Sequence, residues 1–126
     1  LINVALDEMA GEKHMTMSKG RGSALSVNGK DYIINCVTVD DTLIDNNCTY
    51  LKADIEGNEL AMLKGAVNTL KSCSPKLNIA GYHHFKDVFE LPLVIKSLNS
   101  DYNIYIRKHP YIPCWDLNIY CTITKQ

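Results

Sequence analysis

The sequence lacks long apolar runs, clusters of basic residues and any recognisable targeting signal. Within its 126 residues, no apolar segment approaches the ~20 residues that a membrane-spanning helix needs, so we expect no membrane span. Basic and acidic side chains number 13 and 14, and the net charge is -1. Because no run of lysine or arginine concentrates positive charge, we expect neither nucleic acid nor an anionic membrane surface as a partner.

Paired cysteine motifs are also missing. No C-x-x-C pair occurs and no histidine lies at zinc-finger spacing. The five cysteines are odd in number and scattered along the chain: Cys36, Cys48, Cys73, Cys114 and Cys121. Free thiols in a reducing compartment explain this pattern better than disulfides or a zinc site. We therefore expect a cytoplasmic protein.

An initiator methionine is absent as well, since the sequence opens on Leu1 inside an apolar stretch. We interpret the chain as part of a longer protein. Its length and its hydrophobic content of 46% suffice for one domain with a core and are too small for two.

The most informative stretch is residues 50–66. A short apolar strand stops at Asp54, the chain turns through Gly57, and a helix with apolar residues at helical spacing follows. In open α/β sheets, ligands bind at such junctions, which lie at the carboxyl ends of strands. Glu56 and Glu59 crowd the same turn, so three acids converge on one place.

The two glutamates have different interpretations. Acids in the first turn of a helix stabilise it through the helix dipole and need no chemical role. Glu59 also falls on the apolar face of the helix at about 100° per residue, which favours a site residue or a buried polar group. For Glu56 the structural and the chemical interpretation stay open.

A second strand follows at residues 76–82, after the helix ends near Pro75. Strand, helix and strand make a βαβ unit, so the two strands should run parallel. His83 should then stand beside Asp54 at one edge of the sheet, as a general base or a substrate contact. A surface histidine after a strand is the competing interpretation, and for His84 the surface interpretation is the better one.

The segment before the junction is rich in strands. Residues 1–6 are strand-like and end at Asp7. Residues 25–27 and 32–34 flank Asn28-Gly29, a dipeptide typical of a tight hairpin turn.

The segment after the junction predicts one helix and a strand pair. Because Pro92 should break the first turn, we expect the helix at residues 92–98. Residues 102–107 and 117–123 alternate as strands without a helix between them, so they should pair antiparallel. Trp115, in the loop between them, is either an acceptor-binding ring or a lid on the core.

Together these segments resemble the FkbM-type methyltransferases, which use S-adenosylmethionine. The sequence K-A-D-I-E-G-N-E-L at 52–60, with L-K-G-A at 63–66, is similar to the signature of that family. Upstream, N-V-A-L-D at 3–7, G-S-A-L at 22–25 and V-T-V-D-D at 37–41 resemble the third strand, an inserted loop and the lead-in to the fourth strand. Downstream, Y-H at 82–83, L-P-L at 91–93 and residues 102–107 resemble the fifth strand and the elements that close the sheet.

The resemblance implies an α/β, Rossmann-like class I methyltransferase fold that is incomplete and begins at the third strand. Its central strands would be parallel, with an antiparallel strand pair at the carboxyl end. The parts of this partial domain, residues 1–126, would be an inserted hairpin region at about 12–39, a βαβ core at about 49–84, and a helix with the strand pair at about 87–124. In the family, the first and second strands lie between the third and fourth. Without them, residues 1–6 would have no neighbour and the central strand would have an open edge.

The resemblance also implies the chemistry: methyl transfer from S-adenosylmethionine to a hydroxyl of a small molecule or glycan, such as a sugar or a secondary metabolite. Asp7 would lie near the adenine, and Asp54 near the methionine end of the cofactor and the acceptor. In-line transfer requires a nucleophile that is freed of its proton and held close to the methyl group. The candidate catalytic residues are Asp54, Glu56, Glu59 and His83.

Two other functions stay open. A metal-dependent hydrolase would use the acidic turn and the histidine pair, with Asp54, Glu56, His83 and His84 as residue types that bind divalent ions. A binding module would keep the fold without the chemistry. From the sequence alone we assign no metal ligand.

Overall fold

The computed structural model describes residues 2–16, 24–25, 32–43, 47–110 and 116–124. The Asn28-Gly29 turn, Cys114 and Trp115 lie outside this part of the chain. The described residues form two four-stranded sheets with helices, and none of these helices is long and apolar enough to cross a membrane. The strands are β1 (Ala5–Leu6), β2 (Gly11–Thr16), β3 (Ala24–Leu25), β4 (Tyr32–Val37), β5 (Tyr50–Ala53), β6 (Lys76–Ala80), β7 (Asn103–Lys108) and β8 (Leu117–Thr122). The helices are α1 (Val39–Thr42), α2 (Glu59–Lys64), α3 (Val67–Ser72) and α4 (Asp87–Leu98).

The first sheet has the strand order β1-β4-β2-β3. β1 runs parallel to β4, with Ala5 opposite Cys36 and Leu6 opposite Val37. The prediction that residues 1–6 lack a neighbour is therefore wrong. Among residues 2–6, which the structure describes, only Ala5 and Leu6 form a strand, because these two pair with β4.

The predicted hairpin between residues 25–27 and 32–34 is also wrong at its described residues, since β3, which contains Leu25, is not a neighbour of β4, while residues 26–31 lie outside the described part of the chain. β2 lies between β3 and β4 and pairs antiparallel with both. Its ladder with β4 has five residue pairs, from Gly11–Cys36 to Met15–Tyr32, whereas its ladder with β3 has two. The longer ladder satisfies more backbone donors and acceptors than a short hairpin would.

The second sheet has the strand order β5-β6-β8-β7. β5 and β6 are parallel, with Tyr50 opposite Lys76 and Ala53 opposite Ile79. β8 is antiparallel to both β6 and β7. The predicted parallel pair and the predicted carboxyl-terminal antiparallel pair are confirmed. Within the described residues β5 has one neighbour, so its other edge is open, as expected.

The helix predicted after the acidic turn is two helices, α2 and α3. Gly65 separates them and passes so close to the end of β1 that a Cβ on it would lie 2.2 Å from the Asp7 carbonyl oxygen. The Asp40 carboxylate accepts hydrogen bonds from the backbone N–H groups of Asn68 and Thr69 at 2.9 and 2.8 Å. The single-helix prediction is wrong because a side chain distant in sequence caps the second helix.

α4 is continuous over 12 residues and contains Pro92, so the prediction of a helix that starts at residue 92 is wrong. A proline inside a helix costs ~3 kcal/mol. Packing offsets this cost, because Leu91 and Ile95 on the same helix are completely buried. Asp87 also supports the first turn, since its Oδ2 accepts from the backbone N–H of His84 at 2.7 Å.

The core joins the second sheet to the helices. It contains Val39, Ala53, Met62, Leu63, Ala66, Leu70, Leu77, Ile79, Leu91, Ile95, Tyr102, Ile119 and Cys121. The one hydroxyl in this set, on Tyr102, donates to the Pro75 carbonyl oxygen at 2.7 Å, so the buried polar group has a partner.

The four cysteines of the described part, Cys36, Cys48, Cys73 and Cys121, form no disulfide. Cys36 and Cys121 are buried and Cys48 is half-buried. Burial raises the pKa of all three, that of Cys121 to about 12. Thiols in this state are weak nucleophiles at neutral pH, so we place no chemistry on them.

Candidate functional site

The junction between β5 and α2 is a tight turn with two residues in the left-handed region. Asp54 follows β5 directly, and Glu56 and Gly57 have φ values of 56° and 96°. Glycine adopts this conformation without strain, whereas a residue with a Cβ rarely does. A Cβ on Gly57 would also lie 2.5 Å from Cε1 of His84. The turn therefore packs its backbone directly against the residues that follow β6.

The Asp54 carboxylate contacts two side chains that follow β6. The Tyr82 hydroxyl donates to Oδ1 at 2.9 Å, and Nε2 of His83 lies 2.9 Å from the same oxygen. Because β5 and β6 are parallel, their carboxyl ends meet at one edge of the sheet. The predicted juxtaposition of Asp54 and His83 is confirmed. The Asp54 side chain is 49% exposed, so the carboxylate is also open to solvent.

Glu59 points inward, as its helical position predicted. Its side chain is 1% exposed, and Oε1 lies 3.3 Å from Nε2 of His83. The same oxygen accepts a hydrogen bond from the backbone N–H of Ile55 at 2.8 Å. Oε2 is buried without a hydrogen-bond partner in the described structure. A buried carboxylate oxygen without a hydrogen-bond partner is costly.

Glu56 and His84 lie at the rim of this cluster. The side chain of Glu56 is 41% exposed, and its Oε2 lies 3.8 Å from Nδ1 of His83. His84 instead faces α4, where Nδ1 lies 3.5 Å from Oδ1 of Asp87. The structure therefore brings Glu56 to the His83 ring and directs His84 away from it.

Tyr82 is a member of this cluster that the sequence analysis missed. Burial, with the hydrogen bond to Asp54 as the second cause, raises the pKa of Tyr82 to about 12, so the hydroxyl remains a donor at neutral pH. Its ring also packs on His83, with the ring centroids 4.3 Å apart. Its place beside His83 at the end of a predicted strand is the signal that could have identified it.

Asp7 lies apart from this cluster. Its side chain is 1% exposed and forms an ion pair with Lys13, while Oδ1 accepts from the backbone N–H of Glu8 at 2.7 Å. The hydrogen bond with Asp7 raises the pKa of Lys13. Among the described residues, no hydrogen bond or ion pair joins Asp7 to the other candidate site residues.

The cluster combines an exposed acid, a buried acid and an imidazole. One ligand atom from each of Asp54, Glu59 and His83 lies within 4.8 Å of the other two. Such a group can accept a hydrogen bond or a proton from a hydroxyl, and its atoms are of the types that bind divalent ions.

A protein-family model described as the methyltransferase FkbM domain matches residues 4–112 of the chain. The matched range contains the whole cluster, from the turn after β5 to the residues that follow β6. None of the curated proteins matches the chain.

Among solved structures, the chain is similar to the crystal structure of methyltransferase FkbM from Methylobacillus flagellatus KT. The sequence identity is 39% and the TM-score is 0.65. The similarity covers 71% of this chain and 23% of that chain. The chain therefore corresponds to less than a quarter of the related protein.

Proposed function

The chain belongs to the FkbM methyltransferase family, and from that premise we propose that its residues serve methyl transfer from S-adenosylmethionine to a hydroxyl group. The acceptor is a small molecule or glycan, such as a sugar or a secondary metabolite. The observation that carries the proposal is the exposed Asp54 carboxylate, with Nε2 of His83 2.9 Å away, at the carboxyl ends of two parallel strands. Ligands of open α/β sheets bind at this kind of edge.

The proposed fold is the Rossmann-like class I methyltransferase fold from its third strand onward. The parallel β5–β6 pair joined through α2 and α3 supports it, as does the antiparallel β7–β8 pair. Because the similarity spans 23% of the related chain, we propose the activity, the cofactor and the acceptor for the complete protein that contains these residues.

Asp54 and Asp7 differ in how well they are placed to bind the cofactor. When bound, S-adenosylmethionine supplies a methyl group on a positively charged sulfur and carries an ammonium at its methionine end. The half-exposed Asp54 carboxylate is a suitable partner for such a cation. Both oxygens of Asp7 are engaged by Lys13 and by the backbone of Glu8, so a direct contact of Asp7 with the adenosine would require Lys13 to move.

Asp54 is also the residue that we propose to hold the acceptor. Both of its hydrogen bonds in the described structure use Oδ1, which leaves Oδ2 to accept a hydrogen bond from the acceptor hydroxyl. Oδ2 would then take the proton as the hydroxyl oxygen forms its bond to the methyl carbon, while the bond from that carbon to the cofactor's sulfur would break and leave its electron pair on the sulfur. Such positioned proton transfer contributes about 10² to 10⁴ in rate.

The other candidate residues support Asp54 in this proposal. Tyr82 and His83 fix its Oδ1, so that the carboxylate keeps one orientation. Glu59 holds the turn through Ile55 and contacts His83 from the buried side. Glu56, at the exposed rim, is placed to contact the acceptor.

Methyl transfer to a panel of hydroxyl acceptors, measured with the complete protein and labelled S-adenosylmethionine, tests this proposal. We expect Asp54→Asn to abolish transfer while the fold remains intact. Asp101→Asn, an exposed aspartate outside the cluster, is the matched control and should keep the activity. Near-normal rates in Asp54→Asn would remove Asp54 from the mechanism.

For the 126-residue chain by itself, we propose weak or no binding of S-adenosylmethionine. In the family, a glycine-rich turn and an acid also contact the cofactor. Both precede the third strand, at which the resemblance of this chain begins. Isothermal calorimetry with the isolated chain measures this directly. Micromolar binding would show that the chain already contains the cofactor site.

A further inference from the structure

We propose that Asp54, Glu59 and His83 form a binding site for a divalent transition-metal ion, with Glu56 orienting the imidazole from outside. The three residues belong to the cluster described above. The inference does not rest on methyl transfer, because ion binding is measured without cofactor or acceptor.

The distances from Nε2 of His83 to the two carboxylate oxygens match those between neighbouring ligands of a metal ion. Two atoms that each lie about 2.1 Å from one ion, at octahedral or tetrahedral angles, are about 3.0 to 3.4 Å apart. Nε2 of His83 lies 2.9 Å from Oδ1 of Asp54 and 3.3 Å from Oε1 of Glu59. Both distances are those of neighbouring ligands on a single ion.

Hydrogen bonding alone explains this convergence poorly. The same ring atom, Nε2 of His83, faces both carboxylate oxygens, and it carries at most one hydrogen. One hydrogen cannot point well at two acceptors. An ion between the three atoms would contact all of them at once, with the imidazole lone pair directed at the metal.

Glu59 supplies a second and independent observation. Its side chain is 1% exposed and directed at the cluster, yet Oε2 is buried without a hydrogen-bond partner in the described structure. Two carboxylates and one imidazole leave a net negative charge next to this unsatisfied oxygen. Burying an unpaired charge is expensive. A bound dication would offset the free-energy cost of burying the Glu59 carboxylate.

Glu56 occupies the position expected for a residue that orients a metal-binding imidazole. Metal-binding histidines usually direct their other ring nitrogen at a carboxylate or a carbonyl. Oε2 of Glu56 lies 3.8 Å from Nδ1 of His83, on the opposite side of the ring from Asp54 and Glu59. A small shift of either side chain would complete a hydrogen bond that fixes the tautomer with a free Nε2.

The donor set selects the class of ion. Carboxylate oxygens bind many divalent ions, whereas an imidazole favours transition metals over Mg²⁺ and Ca²⁺. Mn²⁺ and Zn²⁺ therefore fit best. Three protein ligands leave at least one coordination position for water or a hydroxyl, as in catalytic rather than structural zinc sites, and Asp54 keeps Oδ2 for the acceptor.

Titration calorimetry of Mn²⁺ and of Zn²⁺ into the chelator-treated complete protein tests the site. We expect one ion per chain. Glu59→Gln preserves the shape of the side chain and its acceptor for the backbone of Ile55, yet should lower the affinity by more than about 100-fold. Glu56→Gln should lower it by about 10-fold, the smaller effect typical of a residue that orients a ligand.

The neighbouring histidines provide a matched pair. His83→Asn should abolish binding, while His84→Asn should leave it unchanged, because His84 faces Asp87 instead. In the unmodified chain, Mn²⁺ should broaden the ring-proton NMR signals of His83 and leave those of His14, on β2 of the other sheet, sharp. This measurement needs no variant and therefore does not depend on the stability of one.

Three results would overturn the site: no stoichiometric binding of either ion, equal affinity in Glu59→Gln and the unmodified chain, or equal broadening of His14 and His83. Any of these would leave methyl transfer as proposed. Conversely, unchanged methyl transfer in Asp54→Asn together with intact ion binding in the unmodified chain would overturn the proposed function and leave the ion site.

Discussion

Two strands of this chain end at an aspartate, and the two acids have opposite surroundings. Asp7, after β1, is 1% exposed and paired with Lys13. Asp54, after β5, is 49% exposed and contacts Tyr82 and His83. In the sequence the two acids look alike, since each closes an apolar strand. The comparison shows that two acids at strand ends can differ in whether their surroundings leave them open to solvent and in which titratable side chains they contact.

The neighbouring strand makes this difference. β4, the parallel neighbour of β1, continues into Thr38, whose hydroxyl caps α1 by accepting from Asp41 N at 3.0 Å. β6, the parallel neighbour of β5, continues into a tyrosine and a histidine that both reach the acid. Asp7 instead takes its partner from β2, within its own sheet.

The largest expected effect is on methyl transfer, which should depend on Asp54 and not on Asp7. Asp54→Ala in the complete protein should lower methyl transfer by about 10² to 10⁴, the range for a positioned proton acceptor. Its stability should fall by only about 1 to 2 kcal/mol, the cost of the lost hydrogen bonds, because the side chain is half exposed and bonded only to Tyr82 and His83 in the described structure. Asp7→Ala should show the reverse, with a clear loss of stability. Parallel rate assays and thermal melts check this, and equal rate losses in the two variants would end the distinction.

The next effect compares Gly65, which packs against the backbone of Asp7, with Gly57, in the turn that follows Asp54. A Cβ on Gly65 would lie 2.2 Å from the Asp7 carbonyl oxygen, which is backbone and cannot turn aside, so Gly65→Ala should cost about 3 kcal/mol. Gly57→Ala meets the His84 ring, which can rotate, but carries the strain of a φ of 96°. We expect it to cost about 1 to 2 kcal/mol. Urea denaturation measures both, and a smaller loss for Gly65→Ala would reverse the ranking.

The sequence predicted the site better than the framework around it. Asp54 and His83 were located correctly because the parallel pairing of a βαβ unit brings the two strand ends to one edge. The inward direction of Glu59 followed from helical periodicity alone. These inferences need local pattern and one general rule of topology. Tyr82 needed more, since nothing in the pattern says that its hydroxyl reaches an acid.

The errors share a physical cause, which is that long-range contacts overrode local signals. The break between α2 and α3 depends on Asp40, 28 residues before its partner Asn68. β4 does not form the predicted local hairpin, because it makes a longer ladder with β2, a strand that lies further away in sequence. Pro92 is tolerated inside α4 because Leu91 and Ile95 are buried on either side of it. None of these contacts is visible to a local reading of the chain.

A smaller effect tests the pairing of Asp7. Lys13→Met leaves the buried Asp7 carboxylate without its cation and should cost about 1 to 2 kcal/mol. This is less than the ~3 to 5 kcal/mol of a fully buried pair, because Lys13 is 42% exposed. Lys86→Met is the control, since its pair with Glu90 lies at the surface and should contribute at most about 0.5 kcal/mol. Equal losses in urea denaturation would show that the Lys13–Asp7 pair stabilises the fold no more than a surface ion pair does.

The smallest effect concerns the Tyr82 hydroxyl, which donates to Asp54 and has no counterpart beside Asp7 among the described residues. Tyr82→Phe removes the hydroxyl that donates to Oδ1 at 2.9 Å but leaves His83 on the same oxygen, so the carboxylate keeps one of its two anchors. We expect about 1 kcal/mol less stability and a loss of methyl transfer far below that of Asp54→Ala. Tyr105→Phe, a half-exposed ring on β7, is the control and should change neither. If Tyr82→Phe lowered the rate as strongly as Asp54→Ala, the hydroxyl would act on the reaction itself, because fixing one oxygen of an already anchored acid cannot account for so large a loss.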